Sequence, residues 1–281
     1  MTTVPAVRQA RRHVLPGLNL TLGYATLYLS LIVLIPLAAL VFKAASLGVD
    51  GMLDAVNTPR VLAALRVSFL TALAASLINL PIGLILAWTL TRYRVPGQRF
   101  VDALIDLPFA LPTAVAGITL TTLLAPNGWL GAPLAEAGLR LAYTPAGIVI
   151  ALIFIGLPFV VRSLQPVLED LGPEPEEAAL SLGATPSQTF WRVTLPALYP
   201  ALLSGFTLAL ARTIGEYGSV VFISGNLPFK TEIAPLLIVG KLEQFDYAGA
   251  AAVAVAMLVI SVTLLLLANT AQARLGRRGE R

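Results

Sequence analysis

Apolar residues in this chain run in long unbroken stretches, without the strict alternation of a half-buried strand. A helix needs about 20 such residues to cross the hydrocarbon of a bilayer. Six stretches reach that length, at about 22–42, 61–91, 103–125, 146–167, 197–223 and 247–269. The second is longer than a span requires, which predicts tilt or a start outside the bilayer near Arg66. Lipid offers no partner for a free backbone N–H or C=O, so only helices and closed barrels span it. Barrel strands alternate in polarity, and these runs do not. The expected fold is all-α, a polytopic membrane protein with six transmembrane helices. It divides into a tail (1–21), a first helix with an external loop (22–60), a core (61–270) with a cytoplasmic loop at about 168–196, and a second tail (271–281).

Composition agrees. The 281 residues are 57% hydrophobic and only 12% charged, against roughly 25% charged in a soluble domain. Six spans put both termini on one side. That side holds Arg8, Arg11, Arg12, Arg92, Arg94, Arg99, Arg162, Arg192, Arg274, Arg277, Arg278 and Arg281. The other holds Lys43, Arg60, Arg66, Arg140, Lys230 and Lys241, and Arg212 lies within the fifth span. The excess predicts cytoplasmic termini. It also accounts for the net charge of +4 without a nucleic-acid partner. The basic start resembles a secretory signal, but its apolar run exceeds the ~7–15 residues of a signal core, so it is expected to stay as the first span.

Several chemistries drop out. With no cysteine there is no disulfide, thiolate metal site or cysteine nucleophile. The one histidine, His13, sits among Arg8, Arg11 and Arg12 and is expected to be solvated. No G-x-x-x-x-G-K-[ST] phosphate loop occurs, so the chain does not hydrolyse ATP as a P-loop protein does. No cofactor or metal site is expected. An intramembrane enzyme would need converging catalytic groups that this composition hardly supplies. The chain shows no internal repeat, unlike many self-contained secondary transporters.

The segment 173–196 stands out as polar and punctuated. Pro173 and Pro175 suit a first helical turn, where Glu174, Glu176 and Glu177 complement the positive end of the helix dipole. Ala178, Ala179, Leu180 and Leu182 propagate a helix, and Gly183 is placed to end it in the left-handed conformation. Thr185-Pro186 then caps a second short helix, expected to run to about Val193, ahead of Leu195-Pro196. A surface-lying membrane helix would carry Lys and Arg, so the acidic, small-residue face fits a groove on another protein better.

Glu177-Ala178-Ala179, then Gly183, Val193 and Leu195-Pro196 resemble the EAA signature of ABC importer permeases, with valine where that family usually has isoleucine. The resemblance implies the type I ABC importer permease fold in a bacterial inner membrane. It implies that Glu176, Glu177, Ala178, Ala179, Leu180, Gly183, Val193, Leu195 and Pro196 couple to a cytoplasmic ATPase subunit and pass its stroke to spans four and five. Residues 211–219 (ARTIGEYGS) resemble the oxyanion branch of the family. Residues 106–117 (DLPFALPTAVAG) and 226–235 (NLPFKTEIAP) resemble its sulfate/thiosulfate members. That implies a second, related permease subunit and a periplasmic sulfate/thiosulfate-binding protein as partners. Molybdate or tungstate import is the nearest alternative; an ATP-independent carrier or channel is the alternative of another class.

Polar residues within the spans leave two readings open. Ser68, Thr71, Ser76, Asn79, Pro81 and Gly83 in span two, and Asp106, Pro108, Pro112, Thr113 and Gly117 in span three, serve helix packing or a bent pathway-lining helix. Arg212 and Glu216, four apart, are either a self-neutralising pair or a gate for an anion. With Tyr217, Ser219, Pro108, Pro112 and Thr113 they form the candidate path. Ser204, Ala211, Gly215 and Ser219 are expected as a small-residue stripe beside the pair. In the external loop 224–246, residues 231–243 read as a short helix capped by Thr231, with a binding protein as the docking partner that the resemblance implies.

Overall fold

The computed structural model describes residues 18–94 and 96–279. His13, Arg8, Arg11, Arg12 and Arg281 lie outside the described residues. Among the described residues all regular structure is helical. The chain opens with α1 (Leu18–Leu29), a π turn (Ser30–Leu34) and α2 (Ile35–Ala45), then α3 (Gly48–Val56) and α4 (Pro59–Arg92). It continues through α5 (Gln98–Ile105), α6 (Leu107–Ala110), α7 (Thr113–Leu124), α8 (Gly131–Glu136) and α9 (Pro145–Leu171). Next come α10 (Glu174–Ser181), α11 (Pro186–Thr189), a second π turn (Phe190–Thr194) and α12 (Leu195–Ile214). Last are α13 (Val220–Ile223), α14 (Ala234–Glu243) and α15 (Tyr247–Gly279).

Among the described residues five helices are long and apolar enough to span a membrane: Leu20–Ala45, Pro59–Arg92, Pro145–Leu171, Pro186–Ile214 and Tyr247–Thr270. The sixth, expected as one run over 103–125, is shorter and broken. Leu111 precedes Pro112 and is driven to extended backbone (φ −85°, ψ 134°). Only Thr113–Leu124 remains as the apolar helix. Arg162 clamps the broken segment: Nε and Nη2 donate to the two Asp106 carboxylate oxygens and Nη1 to Asp102 Oδ1. Arg162, counted with the cytoplasmic-side arginines, lies inside α9, towards its C-terminal end.

One dipeptide starts three helices. Thr58-Pro59, Thr144-Pro145 and Thr185-Pro186 open α4, α9 and α11, each threonine oxygen accepting a first-turn N–H (Val61, Gly147 and Gln188). Proline follows where its missing N–H costs nothing.

A second expectation is overturned at Leu195-Pro196. The helix does not stop near Val193 but runs from Pro186 to Ile214. The π turn before it makes this possible. Leu195 N–H reaches back five residues to Phe190 O, and the wider turn eases the clash of a proline ring with the carbonyl four residues back. The same device, Ile35 N–H to Ser30 O, precedes Pro36 in the first span.

The centre is α4, α9 and α12, which contact one another most extensively. Gly83 of α4 and Gly205 of α12 both face Val160 of α9; a Cβ would collide at Gly83 and be tightly squeezed at Gly205. In lipid, helices gain little from the hydrophobic effect and pack by such close approach. Span two's polar residues turn inward: Ser68, Thr71, Ser76 and Asn79 are all buried. Ser68 Oγ accepts Ala234 N–H (2.8 Å) and Ser76 Oγ lies 3.4 Å from Thr213 Oγ1. Neither amide atom of the buried Asn79 side chain has a hydrogen-bond partner among the described residues. By contrast the first span has no buried residue in its most apolar window; α2 rests on α15 and α3.

Candidate functional site

The polar segment folds into an elbow. Glu174, Glu176 and Glu177 occupy the first turn of α10. The helix closes through Gly183 N–H to Leu180 O (2.9 Å) and Ala184 N–H to Ala179 O (3.0 Å), the paired bonds of a Schellman motif. Gly183 takes φ +83° with nothing near its missing Cβ, so the conformation alone requires glycine. Thr185 and Gln188 form a capping box that starts α11. The second arm is then span five itself, joined through the π turn.

The elbow has two faces. Glu177, Ala178, Leu180 and Leu182 are exposed, while Glu176 and Ala179 turn inward and Leu195 is buried. Gly183 and Pro196 are exposed and Val193 is half-buried. The inward face meets Arg92, a residue that sequence reasoning counted only for its charge. Arg92 donates to Leu168 O (3.1 Å), Gly172 O (2.7 Å) and Glu176 Oε1 (3.0 Å). Its guanidinium also lies 5.8 Å from the centre of the Trp88 ring. A basic residue ending a helix is a signal for carbonyl capping, but its own helix is not the one it serves.

Arg212 and Glu216 do pair, but not along one helix. α12 ends at Ile214, with Gly215 as C-cap. Glu216 lies in the turn beyond, 4% exposed. Its Oε2 accepts from Arg212 Nη1 and its Oε1 from Ser219 N–H (3.0 Å) and Ser219 Oγ (3.1 Å). The buried carboxylate is thus fully partnered. The Arg212 side chain keeps 37% exposure in the isolated chain. From the facing helix, Thr113 approaches Gly218 and Gly117 approaches Ser219 closely enough that a Cβ on either glycine would clash. Tyr217 and Pro112 are exposed and Pro108 is half-buried. The structure brings Thr113, Glu216 and Ser219 together; Pro108 and Pro112 set the helix breaks before α7. The expected stripe is not one face: Ala211 and Gly215 are exposed, Ser219 is buried past the helix end, and Ser204 Oγ accepts from Gln272 Nε2 (2.6 Å).

At the opposite end from the elbow, Arg60 grips Glu232 with two bonds (2.8 and 2.7 Å). Thr231 does not cap the loop helix. Its Oγ1 accepts Leu227 N–H (3.0 Å) within the loop, and α14 starts at Ala234 after extended Ile233. Pro235 in the first turn fixes that later start. A cleft of about 470 Å³ lies here, lined by Arg60, Asn226, Glu232, Lys241 and Gln244 among others. Asp246 accepts from Lys241 Nζ (2.8 Å) and from Gly249 N–H (2.9 Å). The lysine first, then the N–H, holds this carboxyl below its ordinary range. Among the described residues no cluster of His, Asp and Glu could hold a metal ion.

Residues 79–281 match the family described as binding-protein-dependent transport system inner membrane component. The chain is 50% identical over 267 residues to the sulfate transport system permease protein CysT of Salmonella typhimurium, covering 95% of this chain and 96% of that protein. It is 50% identical over 252 residues to the protein of the same name from Synechocystis, covering 90% and 88%. Among solved structures, a bacterial ABC transporter involved in import of the acidic polysaccharide alginate superposes with a TM-score of 0.76 at 17% identity, covering 92% of this chain and 95% of that one. At that identity the likeness concerns the fold.

Proposed function

This chain belongs to the family of binding-protein-dependent transport system inner membrane components, and we propose that it is the membrane-spanning permease subunit of an ATP-driven sulfate importer. The observation that carries the substrate is the 50% identity, over 95% of the chain, to proteins named as sulfate transport permeases. Thiosulfate, a dianion of similar shape, is the second substrate.

The chain supplies a path and a handle; the ATP is split by a separate cytoplasmic subunit. The exposed elbow face of Glu177, Ala178, Leu180 and Leu182 docks that subunit, as a small helix seats in a groove. A second, related permease completes the route, and a periplasmic sulfate/thiosulfate-binding protein delivers the anion on the side of Arg60 and Lys241. Both termini then face the cytoplasm, as the arginine distribution favours.

The Arg212–Glu216 turn is the element of the path that meets the anion. A lone arginine in a low-dielectric path would hold a dianion too tightly for release. Glu216 engages Nη1 and, among the described residues, the other guanidinium donors have no hydrogen-bond partner, giving a site that attracts without trapping. The test is uptake of labelled sulfate, thiosulfate and molybdate in cells lacking the chain and complemented with it. Restored sulfate uptake is expected. Restoration of molybdate uptake alone, or uptake independent of ATP, overturns this reading.

A further inference from the structure

We propose that Arg92 and Trp88 form a tether that makes α4 move with the elbow, and that Arg92 is a positioning residue for coupling ATP hydrolysis to transport. This rests on the chain being the permease of an ATP-driven importer.

By chain connectivity alone, a push on the elbow enters only α9 and α12, the helices to which it is joined. The side chains add a third. Arg92 ends α4 and reaches two carbonyls at the C-terminus of α9, Leu168 and Gly172, and a carboxylate in the first turn of α10, Glu176. Those carbonyls lie at the negative end of the α9 dipole, and Glu176 adds a full charge beside them. A cation is favoured at that junction. A planar fork with several fixed donors reaches all three acceptors, which an ammonium on a flexible stem does less well.

One turn earlier on the same face, Trp88 stacks edge-on against Phe190, ring centres 5.7 Å apart. Phe190 opens the π turn in the other arm. So the first arm is held by Arg92 and the second by Trp88, four residues apart on one helix. The contact is largely enclosed: the Arg92 and Glu176 side chains are 14% and 18% exposed. Among the described residues Arg92 Nε is buried without a hydrogen-bond partner, so the guanidinium depends on the acceptors it has. Adjacent glutamates thereby split two tasks. Glu176 faces in and holds α4; Glu177 faces out and is free for a partner.

The mechanical consequence follows from the packing. α4, α9 and α12 are already the most closely packed helices, through Gly83, Val160 and Gly205. A tether at the cytoplasmic end makes them one body. Without it the elbow can tilt relative to α4, and hydrolysis proceeds without moving the helix that lies against Thr213, next to Arg212.

The test uses the whole complex in proteoliposomes, with ATP hydrolysis and sulfate uptake measured on the same vesicles. Glu176→Gln and Arg92→Gln are expected to lower sulfate moved per ATP by about five-fold or more while hydrolysis stays within about two-fold, on the scale of coupling between contacting residues. Arg92→Lys, which keeps the charge, retains part of the ratio. Uptake and hydrolysis that fall in proportion, or an unchanged ratio, overturn the tether. The contact itself is read separately from the thermal midpoints of Arg92→Gln, Glu176→Gln and the double variant. Non-additive shifts are expected and additive shifts overturn it. A wild-type complex that imports no sulfate refutes the substrate assignment instead, and the thermal cycle then decides the tether.

Discussion

Arg60 and Glu232 lie 172 positions apart in sequence and meet fork to fork, Nε to Oε2 at 2.8 Å and Nη2 to Oε1 at 2.7 Å. The pair is lopsided: the Arg60 side chain is half exposed and that of Glu232 only 2%. Removing the arginine strands a buried carboxylate, whereas removing the carboxylate leaves a cation that water can reach. Arg60→Met is therefore expected to destabilise by about 2–4 kcal/mol and Glu232→Gln by clearly less. Thermal unfolding of the purified protein in detergent measures both. Equal losses would show the pair to be ordinary surface decoration.

The elbow gives a graded series. Gly183→Ala meets no neighbour and bears only the left-handed backbone cost, about 1–2 kcal/mol. Sulfate uptake should be reduced but measurable. Gly183→Pro cannot adopt φ +83° and loses the N–H to Leu180 O, so uptake should vanish. Glu177→Lys reverses an exposed charge and should abolish uptake with membrane insertion intact. Normal uptake in Glu177→Lys would remove the elbow from the coupling path.

At the buried turn, the two charges should behave differently. Arg212→Ala removes the cation and is expected to cut sulfate uptake about ten-fold or more. Glu216→Gln keeps the shape but frees Arg212 from its counter-charge, so the anion binds more tightly and leaves more slowly. Uptake against sulfate concentration should then show lower KM together with lower maximal rate. A Glu216→Gln protein with unchanged KM and rate would mean the pair serves packing alone.

Asp246 predicts a pH effect with a definite sign. Its folded carboxyl titrates below the ordinary value because of Lys241 and the Gly249 N–H. Its contribution is complete above the unfolded value near 3.9 and is lost as pH falls through the lower folded value. Thermal midpoints of wild type and Lys241→Met should differ at pH 7 and converge towards pH 3. A constant difference across that range would locate the lysine's effect elsewhere.

Much of this was legible residue by residue. Thr185-Pro186 announces a helix start and Gly183 a helix stop because both act through their own backbone neighbours. The same Thr-Pro signal stands at 58–59 and 144–145, while the apolar runs that follow it place the boundaries a few residues inward. Leu195-Pro196 misled for a related reason. Proline normally breaks a helix, and nothing in the local residues announces that a π turn will carry it through. The contacts of Arg92, Trp88 and Arg162 are not legible in the sequence, since the partners lie 56 to 102 positions away.

The sequence by itself determined the medium, where the apolar runs lie and the position of the elbow. These follow from length, polarity and backbone preference, which are properties of a residue and its near neighbours. The tertiary structure alone decided what clamps the broken third span, that Glu216 lies beyond its helix rather than on it, and which helices the elbow grips. Those outcomes depend on charges and small residues meeting across helices, and a linear pattern carries no record of which faces touch.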